Sequence, residues 1–131
     1  MTAKPAHRIL IVDDERVIAD THALVFRMQG YEAKVAYDAE TALVLLQSLA
    51  ADVLVSDIML PRYGWSDSGR FVHATYPNCR ILFMSGHPAT ADIIRDAEDR
   101  SQVFEEMAKP FHLTELLARV TQLLLQTSSE R

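Results

Sequence analysis

Ile9-Leu10-Ile11-Val12-Asp13-Asp14 decides the fold of this chain, together with a second stretch, Val53-Leu54-Val55-Ser56-Asp57. Each opens as a short, continuously apolar run, the pattern of a strand buried on both faces of a parallel sheet. Each closes on carboxylates. In an open α/β sheet, ligands bind outside the carboxyl ends of the strands, where the winding reverses. If the two strands are neighbours, Asp13, Asp14 and Asp57 share one pocket. At about 5 Å and an effective dielectric of about 20, each pair of charges repels by roughly 3 kcal/mol. A bound cation would offset that repulsion, so the spacing points to a metal site.

Outward from these stretches, strand and helix patterns alternate along the chain, which argues for βαβ units. Strands are expected at 8–12, 32–36, 53–57, 80–84 and 103–108. The first helix carries Val17, Ile18, Leu24, Val25 and Met28 at helical spacing and should stop at Gly30, a natural C-terminal cap. Further helices are expected at 39–49, 66–76 and 90–99, the last of these poor in apolar residues. A final helix shows one apolar stripe of Leu113, Leu116, Leu117, Val120 and Leu124. The fold class is therefore α/β: a doubly wound five-stranded parallel sheet with five helices. Residues 1–131 form one domain with a core at about 8–125; 1–7 and the polar stretch 127–131 are expected to be flexible ends.

Composition narrows the function. The chain has 131 residues, is 49% hydrophobic and carries a net charge of −5. That balance suits one compact core and disfavours a general surface for nucleic acid or anionic membrane. The single cysteine, Cys79, cannot form an internal disulfide, and no Cys/His spacing suits zinc. No apolar stretch approaches the roughly 20 residues of a membrane span, and the N-terminal residues lack a signal-peptide core. A cytoplasmic domain is expected.

The remaining strand ends supply the chemistry. Strand four ends in a hydroxyl, Ser85, and strand five in a cation, Lys109, followed by Pro110. Oxygen-only, carboxylate-rich ligation suits Mg²⁺. Metal, hydroxyl and ammonium around one carboxylate form a phosphoryl-transfer constellation, in which the carboxylate can act as nucleophile and become an acyl phosphate.

With Asp13-Asp14, Asp57 in Asp-Ile-Met-Leu-Pro, Ser85-Gly86 and Lys109-Pro110-Phe111 in this order, the chain resembles the receiver domains of two-component response regulators. The resemblance covers about 8–125 and implies a flavodoxin-like strand order of 2-1-3-4-5. It implies that Asp57 accepts a phosphoryl group from a phosphohistidine on a histidine kinase or histidine phosphotransfer protein. It further implies that Asp14, Asp57 and the Met59 backbone carbonyl ligate Mg²⁺, with Asp13 acting largely through water. Ser85 would hydrogen-bond one phosphoryl oxygen and Lys109 would pair with another. The added charge of roughly −1.5 to −2 would then shift the neighbouring loops. Output would pass to a downstream protein target, without nucleic-acid contact, membrane attachment or turnover of an external substrate.

Each residue also has an ordinary reading. Asp14 could be a helix N-cap, Asp57 a turn residue before Pro61, and Lys109 a solvated lysine at a strand end. These readings fail jointly, because every one of the residues would have to fall at a strand end by accident. His22 is expected to be partly buried at the edge of its helix stripe, and Cys79 to be a half-buried thiol beginning strand four. Tyr63 and Trp65 could be core plugs or partner contacts.

Some positions depart from the family pattern. Glu106 occupies the place, three before the lysine, where most receivers carry an aromatic residue that swings inward. That bears on the usual coupling to the fourth helix and fifth strand. Trp65 stands where many receivers have glycine, and His87, two past Ser85, is expected to influence the lifetime of the phosphoryl group. Other readings remain on this topology. One is a receiver-like interaction module that works without phosphorylation. Another is an aspartate-nucleophile phosphatase, disfavoured because Asp13-Asp14-Glu15 is not an Asp-x-Asp element. A flavin or nucleotide carrier is disfavoured because no glycine-rich loop follows strand one.

Overall fold

Period-two alternation along β1 (Arg8–Val12) sends Ile9 and Ile11 to one face of the sheet and Leu10 and Val12 to the other, and both faces are covered. The computed structural model describes residues 6–57, 72, 74–85, 105–108 and 111–129. The other strands are β2 (Glu32–Ala36), β3 (Val53–Asp57), β4 (Arg80–Ser85) and β5 (Glu105–Ala108). All pair in parallel in the order β2-β1-β3-β4-β5, the doubly wound, flavodoxin-like arrangement. The winding reverses between β1 and β3, so the crevice expected of such a sheet lies at their carboxyl ends.

Three helices stand among the described residues: α1 (Arg16–Met28), α2 (Ala39–Ser48) and α3 (Leu113–Ser129). α1 and α3 pack on the face carrying Ile9, Ile11, Val53, Val55, Leu82 and Met84. α2 packs on the opposite face, with Leu10, Val12, Leu54 and Phe83. Full burial of each such side chain contributes about 1.5–3 kcal/mol, which is why the strands read as unbroken apolar runs. Of the five helices expected, the one at 66–76 shows helical residues at Val72, Ala74 and Thr75, and the one at 90–99 lies outside the described residues. The start of β5 expected at 103–104 lies outside them too.

Gly30 ends α1 as anticipated. Its φ of 93° is open to glycine at little cost, and its N–H donates to the Arg27 carbonyl at 3.0 Å. The apolar stripe of α1 needs correction. Its buried side is Ala19, His22, Ala23 and Phe26, whereas Val17, Leu24 and Met28 are 79%, 56% and 74% exposed. At about 100° per residue the two sets fall on opposite sides of the helix. His22 stands at the edge of the buried side as expected, beside half-buried Ile18 and Val25, but is buried more deeply than expected, at 7% exposure.

Regular pairing and helix reach beyond the expected core bounds at both ends. α3 continues through Ser129, since no Gly or Pro interrupts residues 125–129, so Thr127–Ser129 extend the helix in place of a polar tail. At the other end, the His7 carbonyl accepts from Glu32 N–H at 2.9 Å and lengthens the β1–β2 ladder. Cys79 precedes β4 and is 3% exposed, not half-buried, because it belongs to the core cluster that includes Leu46 of α2 and Ile81.

Burial pushes the Cys79 thiol up from an ordinary 9.0 to about 12, with the Asp52 charge adding to the effect and a backbone hydrogen bond at Leu54 opposing it. The unfolded thiol therefore loses its proton first. The associated stability is fully present below about pH 9 and declines as pH rises from there towards 12. At pH 8, a thiol-specific chromogenic disulfide should react slowly with native protein and rapidly once the chain is unfolded in guanidinium. Equal rates in both states would contradict the buried placement.

Candidate functional site

The β1–β3 register builds the site. Ile9 pairs with Val53 and Val12 with Ser56, so the chain leaves the two strands at one level, with Asp13 alongside Asp57. Asp13 N–H donates to the Ala36 carbonyl at 3.1 Å and fastens this end of β1 to β2. The Asp13 side chain is fully buried, and its Oδ1 accepts from Glu15 N–H at 2.9 Å, an Asx-type turn into α1. The N-cap of α1 is Glu15, with no side-chain cap bond, so Asp14 does not serve as the helix cap. It stands exposed beside the pocket.

One carboxylate oxygen from each of Asp13, Asp14 and Asp57 lies within 4.8 Å of the others. Asp13 is buried, Asp57 half-buried and Asp14 exposed, so the cluster opens to solvent on one side. The donor set is hard and anionic, without nitrogen or sulfur, and fits Mg²⁺ in preference to zinc or copper. A six-coordinate Mg²⁺ shell is about 4.2 Å across, so three oxygens at this spacing can surround one partly hydrated ion.

The sheet brings the other strand ends to the same edge. Asp57 pairs with Met84, and Ser85 with Ala108, the residue before Lys109. The backbone of Ser85 thus ends β4 as anticipated; its side chain is outside the described set. Glu106 lies in β5 opposite Phe83, with its side chain likewise outside. Met59, Tyr63, Trp65, His87 and Lys109 lie outside the described residues.

A rim group escaped the sequence reading. The Tyr37 hydroxyl donates to Asp20 Oδ1 at 2.6 Å, and the Arg16 guanidinium sits 4.3 Å from the Tyr37 ring centroid. The hydrogen bond to Asp20 raises the phenol above its ordinary range; slight desolvation and the Asp20 charge add to this, and Arg16 opposes it. The signal was present: Arg16 and Asp20 are four apart on one helix, and Tyr37 immediately follows β2.

Residues 9–121 match the family described as response regulator receiver domain. A response regulator named MprA from Mycobacterium avium (strain 104) is 31% identical over 123 residues, covering 94% of this chain and 53% of that protein. The chain thus spans about half the length of the curated relatives it matches. The solved signal receiver domain of an HD domain-containing protein from Pseudomonas fluorescens Pf-5 is 28% identical, with a TM-score of 0.87 over 100% of this chain and 96% of that one. A CheY-like receiver domain protein from Methanospirillum hungatei JF-1 also gives a TM-score of 0.87, covering 97% of this chain and 100% of its own. At 22% identity, it shows likeness of fold alone.

Crowding of three carboxylates should be measurable without any ligand. In EDTA at low ionic strength, Asp14→Asn should stabilise the fold by about 0.5–1 kcal/mol, the exposed position limiting the gain. Calorimetry should show a melting temperature raised by roughly 2–4 °C, and the rise should shrink in high salt. An unchanged or lowered value at low salt would mean that the cluster is not repulsive.

Proposed function

The chain belongs to the response regulator receiver domains of two-component systems, and on that premise we propose that it is a phosphorylatable switch with Asp57 as phosphoacceptor. The observation that carries this reading is the gathering of Asp13, Asp14 and Asp57 within 4.8 Å at the crevice of the sheet. Receiver domains are signalling modules, and the reaction here is a single modification of the chain itself. The donor is a phosphohistidine on a histidine kinase or histidine phosphotransfer protein.

The roles divide by burial. Asp13 is sealed in and spends one oxygen on the turn into α1, which suits a ligand acting through water. Asp57 is half-exposed, so an incoming phosphorus can reach it. One of its oxygens forms the new P–O bond as the donor's P–N bond breaks, the bonding pair leaving on the imidazole. Asp14, Asp57 and the Met59 carbonyl would hold Mg²⁺. When bound, the ion supplies neutralisation of charge on the phosphoryl oxygens. Ser85 donates to one of those oxygens and Lys109 pairs with another, while His87 tunes the lifetime of the product. The domain, 1–131, then signals through protein–protein contact.

The exposed line of α1 supports a protein donor. Val17, Leu24 and Met28 run along one side of the helix, beginning three residues after Asp14. A helical partner laid on that line would bring a group at its end to the acidic pocket.

Intact mass after incubation with Mg²⁺ and acetyl phosphate tests the switch. Wild type should gain one phosphoryl increment, labile to hydroxylamine and absent in EDTA, and Asp57→Asn should gain none. No increment on folded wild type would favour an interaction module that works without phosphorylation. The partner face has a separate test. Leu24→Lys should leave modification by acetyl phosphate unchanged and slow transfer from a phosphorylated donor protein at least about tenfold, the equivalent of roughly 1.4 kcal/mol. Equal transfer rates for wild type and variant would remove α1 as the docking face.

A further inference from the structure

α1 begins with a cation, Arg16, two residues after Asp14, so their Cα atoms lie at most about 7 Å apart. Helical side chains slant back towards the N-terminus, the direction of the turn that carries Asp13 and Asp14. Arg16 and Asp14 are both exposed, and such neighbours would ordinarily pair. They do not. Among the described residues Arg16 makes no ion pair; the pairs present, His7–Asp52 and Arg8–Glu32, stand at the opposite end of the sheet. The Arg16 guanidinium lies instead over the Tyr37 ring, 4.3 Å from its centroid.

Tyr37 is well placed to hold it. β2 ends at Ala36, whose carbonyl accepts from Asp13 N–H at 3.1 Å, so Tyr37 starts from the same edge of the sheet as the pocket. Its ring is half-buried against the cluster formed by the sheet, α1 and α3. Its hydroxyl donates to Asp20 Oδ1 at 2.6 Å, which fixes the ring from its far end. A phenol that donates to a carboxylate gains electron density on its face, and a cation there is held more firmly. The same bond occupies Asp20, which lies four residues from Arg16 on one helix and would otherwise be its partner. Tyr37 thus engages both groups.

We propose that Tyr37 is a positioning residue for the metal site: backed by Asp20, its ring holds Arg16 aside and leaves Asp14 open to Mg²⁺. The inference deepens the metal-binding part of the switch reading and rests on it for its consequence, but not for its geometry. A guanidinium released from the ring would meet Asp14 and compete with the ion for that carboxylate. Exposed ion pairs are weak, so the competition changes affinity by a few-fold and does not abolish binding. The three carboxylates decide whether an ion binds; the rim decides how much of their charge it receives.

Calorimetric titration of the full chain with Mg²⁺ tests this in Tyr37→Leu, Tyr37→Phe, Arg16→Gln and the double variant Arg16→Gln/Tyr37→Leu. Tyr37→Leu should weaken Mg²⁺ binding about two- to fivefold, and Tyr37→Phe, which keeps the ring, should lose less. The double variant should bind like Arg16→Gln alone, a coupling that a mere loss of packing would not produce. Wild-type affinity in Tyr37→Leu, or an equal weakening when Arg16 is absent, would overturn the proposal. Arg16→Gln changes only an exposed side chain, so it should fold and move the affinity by less than about twofold. Binding several-fold tighter in that variant would mean that Arg16 already competes with the ion, and would overturn the proposal as well. A metal-free arm reads the placement itself. In EDTA, the side-chain carboxyl carbon resonance of Asp14 should shift in Tyr37→Leu and return towards its wild-type position in the double variant. If it does not move in Tyr37→Leu, the proposal fails whatever the affinities. If wild type binds no Mg²⁺, the metal reading fails and this resonance alone decides where Arg16 is held.

Discussion

Pairing of β1 with β3 is the constraint on which the rest of the molecule depends. The same ladder that buries Ile9, Leu10, Ile11 and Val12 beside Val53, Leu54 and Val55 ends by pressing Asp13 towards Asp57. Hydrophobic burial along the strands supplies far more free energy than the carboxylates lose at their ends, so the strained end is carried by the apolar middle. Asp13 shows how the arrangement is held. Its N–H is fixed to the end of β2 and its Oδ1 to the start of α1, leaving little freedom to retreat from the other two charges.

The two faces of the sheet do different work. α2 covers one side with Ala39, Ala42 and Leu46, an ordinary apolar lid. α1 and α3 cover the other, and among the described residues this side carries the unusual ones: a buried imidazole facing inward, an apolar line facing outward, and a rim of Arg16, Asp20 and Tyr37. All of them belong to or touch the helix that starts at the acidic pocket. α1 thus runs from the acidic pocket with one face buried against the sheet and an exposed apolar line on the other.

Strands were the most legible part of the chain because burial on both faces removes polar residues from them, and a parallel order then places their ends together. The three carboxylates followed from that alone. α1 was legible as a helix but not in its orientation. It carries two apolar lines on opposite sides, and the one that faces the sheet is the poorer in large side chains, Ala19, Ala23 and Phe26 with His22. Periodicity counts hydrophobic residues and cannot say which line has a neighbour. The depth of Cys79 was hidden for a similar reason, since the cluster it joins includes residues such as Leu46 from elements distant in sequence. Asp14 as a cap was a sound local guess, displaced because Asp13 had already closed the turn.

The gathering of the acidic pocket also has a kinetic meaning. Its members come from the ends of two strands separated in sequence by α1, β2 and α2, so the carboxylates cannot meet until β3 has docked beside β1. Docking closes a long loop, and it does so against growing charge repulsion at the strand ends. A divalent ion that binds only the closed cluster would slow the reopening of β3 rather than hasten its first arrival. Loss of the ion would then show mainly as faster unfolding, with the rate of folding nearly unchanged.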